Sequence, residues 1–202
     1  MVQQLALIEA LDVPLVEYWP CFLSPVEANH LMLQSLALDW HQHQFPRFGK
    51  VIPLPRLESF YGDSTDMVYV YSGVVELRAQ SWPPFLAALR DRLEAATGYS
   101  YQVAMGNLYR NGQDSMGYHA DDEPTLGQRP AIASVSLGAT RKFRLKCKET
   151  GRSQGFVLSH GDLVLMLPGC QEGWVHGIPK TMKCRDVRIN WTFRPYVHEL
   201  NL

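Results

Sequence analysis

From Gly98 onward the chain reads as a succession of short strands separated by turns, with no helical stretch between them. The candidates are residues 102–110, 132–137, 141–146, 155–158, 163–167 and 187–193. Parallel strands need crossover helices, so a helix-free run of this kind favours an antiparallel double-sheet barrel over a parallel sheet. The fold class expected is therefore mainly β with flanking helices (α+β). A chain of 202 residues is long enough to bury one substantial core, and a single domain over 1–202 accommodates it without repeats, linkers or low-complexity tracts.

The flanking helices fall in the first half. Ser24-Pro25-Val26-Glu27 is a capping box with proline at the first helical position, and Val26, Leu31, Leu33, Leu36 and Leu38 predict a largely apolar helix after it. Trp82-Pro83-Pro84 introduces a second, with Phe85, Leu86, Leu89, Leu93 and Ala96 at helical spacing and Gly98 as its stop. Residues 1–23 read as an irregular or extended lead-in, 40–57 as a loop, and 55–63 as a turn-rich segment. Tyr69-Val70-Tyr71 alternates like a strand.

Glu9 and Asp12 interrupt the apolar start and no basic residue precedes it, which argues against a signal peptide. No apolar run reaches the length of a membrane span, so no membrane partner is expected. Cys21, Cys147, Cys170 and Cys184 are too scattered for a CxxC site and read as reduced thiols of a cytoplasmic protein.

The net charge of −1 does not suggest a nucleic-acid partner, but it is unevenly spread. Residues 1–46 hold five acids and no Lys or Arg, leaving 19 basic against 15 acidic groups, a net +4, in the rest. Arg141, Lys142, Arg144, Lys146, Lys148 and Arg152 meet one acid, Glu149, within twelve residues. Such a stretch is either a solvated hairpin or a phosphate-binding surface. Phe45-Pro46-Arg47-Phe48-Gly49-Lys50 sets rings beside cations around a glycine turn; the rings either pack inward or wedge between bases. His41 and His43 have ligand-like spacing, but with no acid or cysteine beside them they read as surface histidines.

The residues that carry chemistry lie in the β half. His119 and Asp121 are two apart, so on an extended segment both point to one side. With His176 downstream they make two histidines and a carboxylate, the facial triad of non-haem Fe(II) oxygenases. In the last strand Arg188, Asn190, Thr192 and Arg194 share one face, and Ile189, Trp191 and Phe193 the other. The polar face, like Asn107 and Tyr109, either meets water on an edge strand or lines a pocket. Arginines beside a metal could hold a carboxylate co-substrate through paired hydrogen bonds.

Taken together, Asn107-Leu108-Tyr109-Arg110, His119-Ala120-Asp121-Asp122-Glu123, residues 133–141, His160-Gly161-Asp162-Leu163, His176 and Arg188 to Arg194 resemble the AlkB family of Fe(II)- and 2-oxoglutarate-dependent nucleic-acid dealkylases. Pro55-Arg56-Leu57, Tyr61-Gly62 and Asp122-Glu123-Pro124 are most similar to its branch of animal DNA-repair homologues. The resemblance implies a double-stranded β-helix, or jelly roll, with 1–45 as scaffold and 46–98 as a nucleotide-recognition region. It implies Fe(II) on His119, Asp121 and His176, with 2-oxoglutarate and O2 as co-substrates. Arg188 would clamp the distal carboxylate of 2-oxoglutarate, Asn107, Tyr109 and Asn190 would hydrogen-bond it, and Arg194 would sit by its chelating end and pair with Asp121.

The same resemblance sets Tyr71, Ser72, Asp122 and Glu123 around the substrate base. It makes Arg47, Phe48, Lys50, Arg56 and Arg141 nucleic-acid contacts. The expected reaction is oxidation of an N-methyl group on bases such as 1-methyladenine and 3-methylcytosine, releasing formaldehyde. The expected partner is alkylated DNA, single- or double-stranded, with RNA not distinguished, met by a monomer in the cytoplasm or, in a eukaryote, the nucleus. The rival expectations are a hydroxylase of a protein or small molecule on the same iron core, and a non-catalytic nucleic-acid-binding module.

Overall fold

The computed structural model describes residues 13–47, 50–71 and 75–197. Phe48, Ser72 and residues 1–12 therefore lie outside the described residues, as do the side chains of Arg47 and Tyr71.

In chain order the strands are β1 (Val16–Trp19), β2 (Gln44–Arg47), β3 (Lys50–Pro53), β4 (Leu57–Gly62), β5 (Val68–Tyr71), β6 (Val75–Arg78), β7 (Gln80–Ser81), β8 (Val103–Tyr109) and β9 (Met116–His119). Then come β10 (Ile132–Gly138), β11 (Arg141–Cys147), β12 (Ser153–Leu158), β13 (Leu163–Met166), β14 (Trp174–Ile178) and β15 (Arg188–Arg194). Seven form one sheet, ordered β1-β13-β10-β15-β8-β4-β7, and four form a second, ordered β12-β11-β14-β9. Apart from the two-residue β4–β7 contact the pairings are antiparallel. This is the expected double-sheet roll.

Among the described residues there are three hydrophobic clusters, one of them around Phe60, Tyr69, Val75 and Met105. The other two follow from the alternation of the large sheet. Ile189, Trp191 and Phe193 turn one face of the large sheet toward helices Pro25–Leu36 and Pro84–Thr97 and pack with Leu86, Leu89 and Leu93. On the other face Ile132, Val164 and Met166 meet Phe143, Leu145 and Trp174 from the small sheet. The even-numbered residues of β15 are thus left pointing between the sheets. Gly106 permits the close approach on the helix side, because a Cβ there would sit 2.6 Å from the Trp191 ring and 2.8 Å from that of Trp40.

The helix starts follow the sequence closely. Ser24 Oγ accepts from the Glu27 amide while the Glu27 carboxylate accepts from the Ser24 amide, and Gly98 ends the second helix at φ 75°. The first helix corrects one expectation: its apolar residues do not all pack inward, since Val26, Leu33 and Leu36 face solvent, while Ala28 and Ser35 are buried and Leu31 and Met32 pack against the core. Ser35 explains its placement by accepting a hydrogen bond from Trp191 Nε1 at 2.9 Å.

Two more corrections concern the middle of the chain. Residues expected as loop carry the β2–β3 hairpin, and the turn-rich segment contains β4, which is buried beside β8. Strand periodicity is invisible in β4 because both of its faces are covered. The four cysteines are free thiols. Among the described residues no helix is long and apolar enough to cross a membrane.

Candidate active site

β9 and β14 are neighbours in the small sheet, and their register sets His119 directly opposite His176. Their ring centroids are 4.3 Å apart. Asp121 follows β9 by two residues, and its Oδ1 lies 3.5 Å from His119 Nε2. One ligand atom from each of the three lies within 4.8 Å of the others, facing the space between the sheets. The expected triad is therefore assembled.

The surroundings prepare these atoms for a cation. His119 Nδ1 donates to the Gly117 carbonyl at 3.0 Å, which turns Nε2 toward Asp121. Asp121 Oδ2 accepts from Nε and Nη2 of Arg194 at 3.0 and 2.9 Å and lies 4.0 Å from His176 Nε2, while Oδ1 faces His119. The Asp121 amide donates to Gln171 Oε1 at 3.0 Å, fixing the backbone. Burial would raise the Asp121 carboxyl pKa, but Arg194 and the two histidines together hold it well below the usual range. Burial, and next the adjacent His119, push His176 down to about 3, so its imidazole is neutral at ordinary pH. The neutral His176 imidazole and an ionised carboxylate suit Fe(II).

A second group of side chains projects from β15 into the same space. Arg188, only 1% exposed, donates through Nη2 to Ser136 Oγ at 2.9 Å and Asn190 Oδ1 at 2.7 Å. Asn190 Oδ1 also accepts from Ser134 Oγ, and its Nδ2 donates to Thr192 Oγ1. Tyr109 lies under the Arg188 guanidinium, 5.4 Å from its ring centroid. Arg188 Nε and Nη1, and Arg194 Nη1, are buried donors without a hydrogen-bond partner. Burial pushes Arg188 down to about 10, which leaves it charged at neutral pH. A buried cation with open donors is costly unless an anion arrives. This donor set fits the carboxylates of 2-oxoglutarate.

Outside the triad lies a cleft of about 800 Å³. β2, β3, β5 and β6 wall it on one side, and the segment from Gly117 to Glu123 on the other. Glu123 Oε2 is buried there without a partner. Burial first, and then the charge of Asp121, push the Glu123 carboxyl up, with Arg194 and Tyr69 opposing. Tyr69, on β5, presents its ring to Arg194 at 5.4 Å. Asp122 is exposed, with Lys148 Nζ at 3.6 Å.

Of the expected nucleic-acid contacts, Arg141 is corrected, while Arg56 falls in the cleft wall. Arg141 is buried and its guanidinium donates to the Asn111, Asp114 and Pro179 carbonyls, so it braces loops instead of meeting phosphate. Arg56 is buried in the cleft wall, paired with Glu58 and donating to Asn107 Oδ1 at 2.9 Å. Asn107 lines the cavity but spends that oxygen on Arg56. Lys50 is exposed at the β3 start.

Sequence reasoning missed Gln171, Ser134, Ser136, Glu58 and Tyr69. Parity could have found the serines, which alternate on β10, and Glu58, two from Arg56 on β4. Nothing local marks Gln171, which comes from the turn before β14.

A two-sheet roll that gathers two histidines and an aspartate at one end, with buried arginines reaching the same space, defines a jelly-roll oxygenase with a facial metal triad. The sequence model of the 2OG-Fe(II) oxygenase superfamily matches residues 16–194, and the chain belongs to that superfamily. Fe(II), 2-oxoglutarate and O2 come with membership.

Among curated relatives, human alpha-ketoglutarate-dependent dioxygenase alkB homolog 3 is 36% identical over 187 residues, covering 87% of this chain and 64% of its own length. The DNA oxidative demethylase ALKBH2 of Bos taurus is 37% identical over 155 residues, covering 73% of this chain and 55% of its own. The chain thus spans less than two thirds of the length of these relatives. The solved structure of OsALKBH1 superposes with a TM-score of 0.62 at 19% identity, covering 90% of this chain and 98% of that one, a likeness of fold.

Proposed function

We propose that the chain is an oxidative dealkylase of N-alkylated bases such as 1-methyladenine and 3-methylcytosine in DNA, acting as a monomer in direct damage repair in the cytoplasm or, in a eukaryote, the nucleus. The observation that carries this reading is the cleft that opens on the triad with the unpartnered Glu123 Oε2 in its wall. Both lesions are cationic rings with an exocyclic amino group, and an acidic, aromatic-lined cleft suits them. The relatives named a DNA oxidative demethylase and an alkB homolog support the same class.

In this reading His119, Asp121 and His176 hold Fe(II), which with 2-oxoglutarate and O2 supplies the oxidant for the N-methyl carbon. Arg188 and Asn190 hold the far carboxylate, with Tyr109 beneath the guanidinium and Asn107 at the cavity edge. Arg194 orients Asp121 and meets the chelating end. Tyr71, Ser72, Asp122 and Glu123 surround the base; the recognition region over 46–98 carries Tyr71 and Ser72 together with Arg47, Phe48 and Lys50, and residues 1–45 are scaffold. The hydroxymethyl amine formed on the base loses formaldehyde by itself, so the side chains need only bind, orient and exclude water.

The test is mass-spectrometric demethylation of matched single- and double-stranded oligonucleotides carrying 3-methylcytosine, with Fe(II) and ascorbate, with and without 2-oxoglutarate. Loss of one methyl that requires 2-oxoglutarate is expected. Succinate formation that ignores every methylated oligonucleotide would move the substrate to a protein or small molecule.

A further inference from the structure

The outward face of the small sheet has no part in the chemistry above, and it is where the basic stretch resides. β11 alternates strictly, with Arg141, Phe143, Leu145 and Cys147 buried and Lys142, Arg144 and Lys146 exposed. No hydrogen bond or ion pair engages the side chains of these three among the described residues. Their neighbours on β12, Ser153 and Gly155, are exposed, whereas Gly177 on β14 is buried. Arg144 lies between Gly155 on β12 and Gly177 on β14, and Lys146 between Ser153 and Val175. Gly177 has no room for a side chain, since a Cβ there would meet the Met116 carbonyl at 2.8 Å.

Beyond Gly177 comes β9. Tyr118 precedes the ligand His119 and so points to the opposite, outer face. Its ring is 48% exposed, yet it also lines the cleft, so it sits on the rim where cleft and basic face join. Strand spacing puts it about 10 Å, two strands, from Arg144. The acids at this corner are Asp122, with Lys148 Nζ at 3.6 Å, and the exposed Glu149 beyond the end of β11.

We propose that this face is a track for the single-stranded sugar-phosphate chain that flanks the target base: Tyr118 stacks the neighbouring base at the rim, and Arg144, Lys142 and Lys146 hold successive phosphates. The inference rests on the functional reading above and deepens it. Charge complementarity and continuity with the cleft select a polyanion leaving the site. An exposed ring near a row of exposed cations suits unpaired bases, whose faces are free. A duplex keeps its base faces stacked and has none to offer Tyr118.

The experiment uses iron-loaded full chain and two single-stranded substrates with one 3-methylcytosine, a 12-mer and a trinucleotide too short to leave the cleft. Binding of a labelled 12-mer is followed by anisotropy from 50 to 300 mM salt without O2, and KM is measured for both lengths. In the triple variant Lys142→Gln, Arg144→Gln, Lys146→Gln, whose sites are all exposed, 12-mer affinity falls more than about tenfold at low salt. The slope of log affinity against log salt shrinks by about 2, the release expected for three single-strand contacts. The trinucleotide KM moves less than about twofold. Tyr118→Ala weakens the 12-mer by about fivefold or more, as lost stacking would, and Tyr118→Phe restores it.

Unchanged 12-mer affinity and slope in the triple variant would overturn the track, as would weakened binding of duplex alone. Demethylation of the trinucleotide tests the functional reading separately. If neither length is demethylated that reading fails, while anisotropy still decides whether the face binds a strand.

Discussion

Arg188 and Arg194 begin and end one strand, share its inward face and are both nearly inaccessible, yet only one of them has an acid. Arg194 gives two hydrogen bonds to Asp121, and Asp121 holds the Arg194 guanidinium firmly charged against the cost of burial. Arg188 leans on a serine, an asparagine and an aromatic face, with two donors open. The first arrangement has its charge balanced without ligand by the metal-binding carboxylate, with Nη1 alone left open. The second is complete only when an anion arrives. One strand thus carries a scaffold cation and a binding cation, told apart by partners alone.

The widest gap between the two is expected when the ion pair is broken. Arg194→Met leaves Asp121 buried and uncompensated and should cost about 3–5 kcal/mol of apo-protein stability, measured by urea unfolding. Asp121→Ala should cost a similar amount and also abolish turnover with the loss of a metal ligand. Arg188→Met removes a cation that had no acid and should change apo stability by less than about 1 kcal/mol. Equal losses at both arginines would erase the distinction.

Acidification separates the two ends next. The His176 pKa is lowered in the fold to about 3, so below its unfolded value near 6.5 the unfolded chain takes up a proton that the native state does not. Stability of chelator-treated protein should therefore fall as pH drops from about 6.5 toward 3, by up to about 1.4 kcal/mol per pH unit. His176→Gln should flatten that slope, and Arg188→Met should leave it alone. A pH-independent unfolding midpoint between 7 and 5 would contradict the burial assigned to His176.

Gly177→Ala probes the seam that joins the ligand strands. The added methyl would press on the Met116 and Gly117 carbonyls and pry β14 from β9, costing about 1–3 kcal/mol and weakening iron binding in a metal titration. Ser35→Ala, on the far side of the large sheet, should cost only about 1 kcal/mol through the lost Trp191 bond, with metal affinity unchanged.

The same contrast marks what was legible in the sequence. β15 could be read in full because its faces differ: arginines and asparagine inward, tryptophan and phenylalanine toward the helices. β8, β10, β11 and β13 were bounded to within a residue or so by their turns. β9 and β14, which carry the ligands, are short and lack alternation, and their bulged register is a property of the pair. β4 was mistaken for a turn-rich segment because burial on both faces erases its pattern. Arg141 was grouped with the basic stretch by composition, although its parity with Phe143 and Leu145 points it inward. Gln171 and the open donors of Arg188 depend on contacts between segments far apart in the chain.

The most direct test of the account is titration of 2-oxoglutarate into Mn(II)-loaded protein without O2, wild type against Arg188→Met. Loss of the charged hydrogen bonds at the open donors should weaken binding about 100-fold or more, while manganese affinity and apo stability stay near wild type. Binding within about threefold of wild type would show that the unpaired arginine is not where the co-substrate's carboxylate is held.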